Sequence, residues 1–203
     1  MTQPESRWPA GVDGFAAGGA DAARVAVAAV LVAMAACAPL LPEASAGGTG
    51  TSGGPGGVGS VPAQFVAVAE RVLTEANRSR RAAGAASLQA DPDLDRAAAE
   101  YASELAGRGL LDHDSPTPGR HTVSQRVDAA GVAWSRVAEN LGLVRTHEAA
   151  VAATVVRLWR ESPGHRSNLL DAGYTRAGTG VARDRSGDWY VVQVYVTPRA
   201  RRE

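Results

Sequence analysis

The sequence has few residues that could form cross-links, and it has no net charge. One of its 203 residues is cysteine, Cys37, so a disulfide bridge within the chain is impossible. Lysine is absent, and 21 basic residues match 21 acidic ones to give a formal net charge of zero. The chain has neither the basic surplus that indicates nucleic-acid binding nor the acidic run that indicates a cationic partner, so we expect neither kind of partner. A folded domain of this chain must be stabilised by its core alone.

The apolar run at residues 25–36, VAVAAVLVAMAA, is too short to span a bilayer as a stable helix, which needs about 20 residues. Because Arg24 precedes it, the run has the length and the flanking charge of the apolar region of a signal peptide. A buried apolar helix is the alternative. We interpret residues 1–46 as a signal-peptide and lipobox region, which predicts an exported protein.

Two cleavage sites are open within this region. Residues 34–37, MAAC, resemble a bacterial lipobox, in which Cys37 would carry the lipid and anchor the protein to the cell membrane. Residues 44–46, ASA, form an A-x-A motif, and cleavage after Ala46 would release a secreted protein. We favour the lipoprotein because the lone cysteine stands where the anchor must be.

A flexible linker separates this region from the folded part. Residues 47–61 are rich in glycine and serine, and such a composition cannot bury enough surface to offset its ordering entropy. Residues 62–200 then form one domain, which we expect to be a monomer. A domain of about 140 residues buries roughly two-thirds of its unfolded surface, which is sufficient for a core without disulfides.

Apolar spacing and start signals predict four helices, at residues 62–82, from Asp91 to Gly107 or Gly109, from Thr146 through Trp159, and from Ser162 to near Gly173. The second has a strong start, because a carboxylate at Asp91 caps the helix and Pro92 lacks the N–H that would be left unpaired. By the same argument Ser162 caps the fourth, with Pro163 as its first residue.

Two strands follow in the tail. The segments at 176–183 and 188–196 flank the turn DRSG, which is typical of a hairpin. Alternate residues of the second strand are apolar on both sides, so the sheet is predicted to be covered on both faces. Helices with an antiparallel hairpin, and without β-α-β alternation, indicate an α+β layered domain.

His165 is the histidine whose position calls for an explanation. Capping at Ser162 places it third in a helix, where the backbone N–H is unpaired and the helix dipole is positive. That field disfavours imidazolium, and a neutral imidazole is what a metal site or a general base needs. Gly164 removes bulk beside it. An exposed histidine without a role is the alternative.

Five segments occur in an order that resembles the CAP superfamily, also called SCP/TAPS, which includes cysteine-rich secretory proteins, antigen 5 and pathogenesis-related class 1 proteins. They are VLTEANRSRRAAGAASLQADPDLDRAAAEYASELA, LDHDSP, RVAENLG, LWRESPGHRSNLLDAGYTRAGTGVA and DWYVVQVYV. Together they cover about residues 66–197, and the closest likeness is to the bacterial, disulfide-free branch. The resemblance implies a three-layer α-β-α sandwich with a central antiparallel sheet and a cleft that carries two histidines and two glutamates.

Carried over by position, the resemblance implies that three of these residues share the cleft: His113, Glu139 and His165. This sequence has Ala138 where the family has glycine before the glutamate. Ser162 occupies the position of the second glutamate, and Glu161 lies one residue earlier as a weaker candidate for the cleft. The histidines His121 and His147 match nothing in the family and are predicted to lie on the surface.

The predicted cleft allows three functions. Two neutral imidazoles, His113 and His165, suit a divalent first-row metal such as zinc, held as an optional cofactor. An envelope-associated binding module for a lipid or another extracellular ligand is the interpretation we prefer, since some family members bind lipids. The alternative is a metal-assisted or acid–base hydrolase of protease type, with His113, Glu139 and His165 as catalytic candidates. Whether the chain is an enzyme stays open, although the domain has no G-x-S-x-G motif, no H-E-x-x-H motif and no cysteine.

Overall fold

The computed structural model describes residues 61–199 and a two-residue strand, Arg24–Val25. The rest of the predicted export region, including Cys37, and the linker up to residue 60 lie outside the described residues. Within the described part, no helix combines the length and the apolar character that a membrane crossing needs.

One sheet and five α-helices make up the described part of the chain. In chain order the elements are β1 (Arg24–Val25), α1 (Ala63–Ala82), β2 (Gln89–Ala90), α2 (Pro92–Arg108), α3 (Val123–Ala129), β3 (Trp134–Val144), a 3-10 turn (Glu148–Ala150), α4 (Val151–Glu161), α5 (Pro163–Leu170), β4 (Arg176–Arg183) and β5 (Trp189–Pro198). The sheet has the order β1-β3-β5-β4-β2. Its three long strands are antiparallel, and the two outer pairs are short and parallel.

Helices cover both faces of this sheet, which confirms the predicted three-layer α-β-α sandwich. Helices α1, α4 and α5 pack on one face and α2 and α3 on the other, each around its own apolar cluster. The central strand β5 supplies both clusters, because Trp189, Val191 and Tyr195 point to the first and Tyr190 and Val192 to the second. The prediction that the sheet is covered on both faces is therefore confirmed.

The start of α2 shows how local chemistry sets an element. The Asp91 carboxylate accepts hydrogen bonds from the backbone N–H of Asp93 at 3.1 Å and of Leu94 at 3.4 Å. Pro92 is the first helical residue, as predicted, and the helix ends where Gly109 adopts a left-handed conformation with φ 63°. Such a conformation suits a residue without Cβ.

Several predicted bounds need correction. The third predicted helix becomes regular at Val151 rather than Thr146, and the fourth ends at Leu170 rather than near Gly173. Ser162 stands at the N-cap of α5, but its side chain makes no capping hydrogen bond. The backbone carbonyl of Ser162 accepts the N–H of Arg166 at 2.8 Å, so proline geometry and this first helical bond start the helix.

The sequence analysis missed α3 and β3. Helix α3 begins with a capping box, in which Thr122 and Gln125 satisfy each other's backbone N–H groups. It has only seven residues, too few for a clear apolar stripe. Strand β3 lacks strand-like alternation because it carries Glu139 and Asn140, two polar residues, into the interior.

The close approach of α2 to β4 generates a stability prediction. A Cβ on Gly180 would lie 2.0 Å from the backbone carbonyl carbon of Ala98, so alanine at position 180 forces the helix off the sheet. We expect Gly180→Ala to lower the free energy of unfolding by about 1–3 kcal/mol or more. Gly107→Ala is the control: its Cβ meets nothing within 4 Å, and a helical alanine is favoured by about 0.5–1 kcal/mol. Urea denaturation that ranks Gly180→Ala at or above Gly107→Ala would contradict this packing.

Candidate functional site

Two of the predicted site residues are in direct contact. Glu139 lies on β3 with 1% of its side chain exposed, and His113 lies half-buried in the loop that follows α2. The Nδ1 atom of His113 is 2.9 Å from Oε1 of Glu139. An imidazole whose Nδ1 contacts a carboxylate is held in one orientation, which is how many histidine sites are organised.

The carboxylate of Glu139 has a second partner that the sequence analysis did not identify. Arg126, on α3, donates from Nη2 to Oε1 of Glu139 at 2.9 Å and to Oε2 at 2.8 Å. Its guanidinium lies over the ring of Tyr101, 3.6 Å from the centroid. Buried carboxylates occur where a cation and hydrogen bonds compensate their charge, and Arg126 supplies both to Glu139.

Arg126 also holds the loop that carries His113. Its Nη2 atom donates to the backbone carbonyl of His113 at 3.2 Å, and its Nη1 atom donates to that of His121 at 2.9 Å. Beside it, the hydroxyl of Tyr101 donates to the carbonyl of Asp112 at 2.5 Å. The loop position is therefore set from α2 and α3 together.

His165 is the third residue of α5, as predicted, and it is 1% exposed. Its Nδ1 atom has no hydrogen-bond partner, and no other buried side-chain nitrogen or oxygen of the described residues shares that state. Burial, and to a smaller extent the charge of nearby His113, lower the pKa of His165 from 6.5 to about 4. The imidazole is therefore neutral near pH 7, chiefly because it is buried.

A buried amide pair joins α5 to β3 and so places His165 beside Glu139. The side-chain amide of Asn140 donates to the carbonyl of His165 at 3.0 Å and to the Tyr195 hydroxyl at 3.0 Å. Asn168 donates to the Asn140 side chain at 3.1 Å and to the carbonyl of Glu139 at 3.3 Å. The two helical turns around His165 thus have their register on β3 fixed by hydrogen bonds.

The structure does not bring Glu161 to the cleft, which corrects that prediction. Its side chain is 58% exposed at the end of α4 and pairs with Arg157 one turn earlier, at 2.9 Å. His121 and His147 are exposed, as predicted. Within the described residues, no group of three or more His, Cys, Asp or Glu side chains is arranged to hold a metal ion.

Comparison with known proteins identifies the family. The sequence model of the Cysteine-rich secretory protein family, CAP, matches residues 73–195, which is more than half of the chain. The chain belongs to the CAP family. The match contains α2, the loop of His113, strand β3 and helix α5, so the whole cleft lies inside the CAP region.

Bacterial proteins are among those that this CAP chain resembles. The uncharacterized protein YkwD of Bacillus subtilis is 28% identical over 128 residues, 63% of this chain and 47% of YkwD. An extracellular protein with an SCP domain from Bacillus anthracis has a TM-score of 0.56 and 24% identity, over 65% of this chain and 41% of that one. An outer surface protein from Borrelia burgdorferi has a TM-score of 0.56 and 19% identity, over 66% of this chain and 94% of that one.

These comparisons show a CAP domain of bacterial type with one cysteine, which confirms the resemblance to the disulfide-free branch. At these identities the solved structures show the fold alone. The chain spans about half the length of YkwD and of the Bacillus anthracis protein.

The burial of His165 predicts a specific loss of stability in acid. Its folded pKa of about 4 lies below its ordinary value of 6.5, so the unfolded chain takes up the proton first as the pH falls. Stability present above about pH 6.5 is then lost down to about pH 4, by at most about 3 kcal/mol.

We expect urea denaturation at about pH 7 and about pH 4.5 to show a larger loss for the wild type than for His165→Gln. His147→Gln, which replaces an exposed histidine, should lose as much stability as the wild type. Equal losses in wild type and His165→Gln would contradict a neutral, buried His165.

Proposed function

We propose that this chain is an exported binding module of the bacterial envelope, with a two-histidine cleft able to hold a divalent metal. The observation that supports the proposal is the unpaired Nδ1 atom of His165, a neutral and buried imidazole whose pKa also responds to the charge of His113. A buried polar atom without a partner is rare in proteins, and a bound ligand or ion is one way to satisfy it.

The donor set fits weak, optional binding of zinc or a similar ion. His113 and His165 would be the ligands, and imidazole suits this class of metal. Glu139 fits an orienting role instead, because both of its oxygens already accept hydrogen bonds from Arg126. When bound, such an ion supplies a Lewis acid for an anionic or carbonyl group of a ligand.

A separate apolar cavity supports a lipid or another apolar envelope compound as the ligand. It has a volume of about 270 Å³ and lies between α1, α2 and strand β4. Its apolar wall is formed by Phe65, Ala69, Leu73, Ala99 and Val181. Neither His113 nor His165 lines it, so an apolar ligand would bind at a site distinct from the histidine cleft.

Export is supported by the sequence and by the relatives. The apolar run at residues 25–36 follows Arg24 in the manner of a signal peptide. The structural neighbours from Bacillus anthracis and Borrelia burgdorferi are described as extracellular and as an outer surface protein. A lipid on Cys37 would anchor the domain to the membrane, and cleavage after Ala46 would release it.

The alternative, a hydrolase, has less support from the geometry. A general base works best with a pKa near the working pH, and burial lowers the pKa of His165 to about 4. The hydroxyl of Ser115, the serine nearest to His113 in sequence, donates to Glu104 at 2.8 Å rather than to a histidine. We therefore prefer binding to catalysis.

Zinc binding tests the metal part of this proposal. We expect calorimetric titration of zinc into the protein to show one weak site, and the heat to disappear in both His113→Ala and His165→Ala, because each removes half of the donor set. His147→Ala, at an exposed position, should bind as the wild type does. Heat that survives either cleft substitution would place the ion elsewhere, and no heat with the wild type would refute metal binding.

A further inference from the structure

Arg126 is linked to His113 in two ways. It donates a hydrogen bond directly to the backbone carbonyl of His113, and it binds Glu139, which in turn contacts the imidazole ring. The Nη2 atom lies 3.2 Å from the carbonyl oxygen of His113. It also lies 2.9 Å from Oε1 of Glu139, the same oxygen that Nδ1 of His113 approaches at 2.9 Å. The same guanidinium nitrogen therefore holds the main chain of His113 directly and orients its ring through Glu139.

The geometry also sets the position of the hydrogen between His113 and Glu139. An ionised carboxylate accepts hydrogen bonds and donates none. Since both oxygens of Glu139 face the positive guanidinium of Arg126, the ionised form is the one that this pairing stabilises. The hydrogen of the contact then lies on Nδ1 of His113, and the lone pair of the neutral ring lies on Nε2.

Arg126 has no freedom to leave this arrangement. Its side chain is 5% exposed, and its guanidinium is stacked on Tyr101. Its Nη1 atom donates to the backbone carbonyls of Arg120 and His121, at 3.2 and 2.9 Å. A flat, forked cation can make these contacts at once, whereas a lysine ammonium cannot satisfy two carboxylate oxygens and three carbonyls from one nitrogen.

We propose that Arg126 is the positioning residue of the histidine cleft: acting through Glu139, it selects the tautomer of His113 that is protonated on Nδ1 and so makes Nε2 the donor atom. The proposal deepens the function proposed above and rests on it, because it specifies which nitrogen of His113 would bind a metal. Positioning partners of this kind change metal affinity by about 10–100-fold in known sites.

The test is the tautomer of His113 in the full-length, metal-free protein, read by long-range 1H–15N correlation at about pH 8, where an ordinary histidine is neutral. His113→Gln assigns the signals. We expect the wild type to show Nδ1–H, and Arg126→Lys, which keeps the charge and loses the fork, to shift His113 towards Nε2–H. Zinc affinity should fall by about 10–100-fold in the same variant.

Arg80→Lys is the matched control, because Arg80 is also a buried arginine and its hydrogen bonds go to residues other than the cleft histidines. Its guanidinium donates to the backbone carbonyls of Ala86, Leu169, Asp171 and Tyr174. We expect this variant to lose stability and to keep the wild-type tautomer of His113. A general effect of removing a buried arginine is thereby separated from positioning.

Two results would overturn the proposal. One is a wild-type spectrum with His113 protonated on Nε2, which stands even if Arg126→Lys does not fold. The other is a folded Arg126→Lys protein with an unchanged tautomer. The spectra need no metal, so an absence of zinc heat in the wild type would refute the metal site and leave the tautomer assignment standing.

Discussion

The buried ion pair between Arg126 and Glu139 is the interaction on which the cleft depends. It joins α3 to β3, and through the carbonyl contacts of Arg126 it also secures the loop of His113. A buried pair of this kind adds little net stability, because desolvation offsets most of the attraction. Losing one partner is costly, since the other charge is left buried. The pair therefore acts chiefly as a geometric constraint, which fixes where α3, β3 and the loop of His113 meet.

This constraint explains the electrostatic state of the cleft. The charge of Glu139 is balanced by Arg126, so the carboxylate orients His113 without dominating the site. The Nδ1 atom of His165 is left as a neutral nitrogen without a partner. A cleft built in this way favours binding through lone pairs over proton transfer near neutral pH.

The sequence predicted most of the fold because periodic burial and helix signals are local. The cap at Asp91, the turn between the last two strands and the apolar faces of β5 could all be read from neighbouring residues. The site was less accessible. His113 and Glu139 were proposed from family resemblance, and His165 from helix capping as well. Glu161 was placed wrongly because proximity in sequence cannot show that its side chain is exposed and pairs with Arg157. Arg126 was missed, although the capping box at Thr122 and Gln125 predicts a helix that would carry it.

The central claim is that Arg126 and Glu139 act as one unit, and the coupling free energy between them tests it most directly. In a double-mutant cycle by urea denaturation, Arg126→Met and Glu139→Gln should each destabilise the protein by about 3–5 kcal/mol, since each leaves a buried group without its partner. The loss in the double variant should be smaller than the sum of the two single losses, and we expect this difference, the coupling free energy, to be about 1–3 kcal/mol. Losses that add to within about 0.5 kcal/mol would mean that the two side chains do not depend on each other, and the account of the cleft would be wrong.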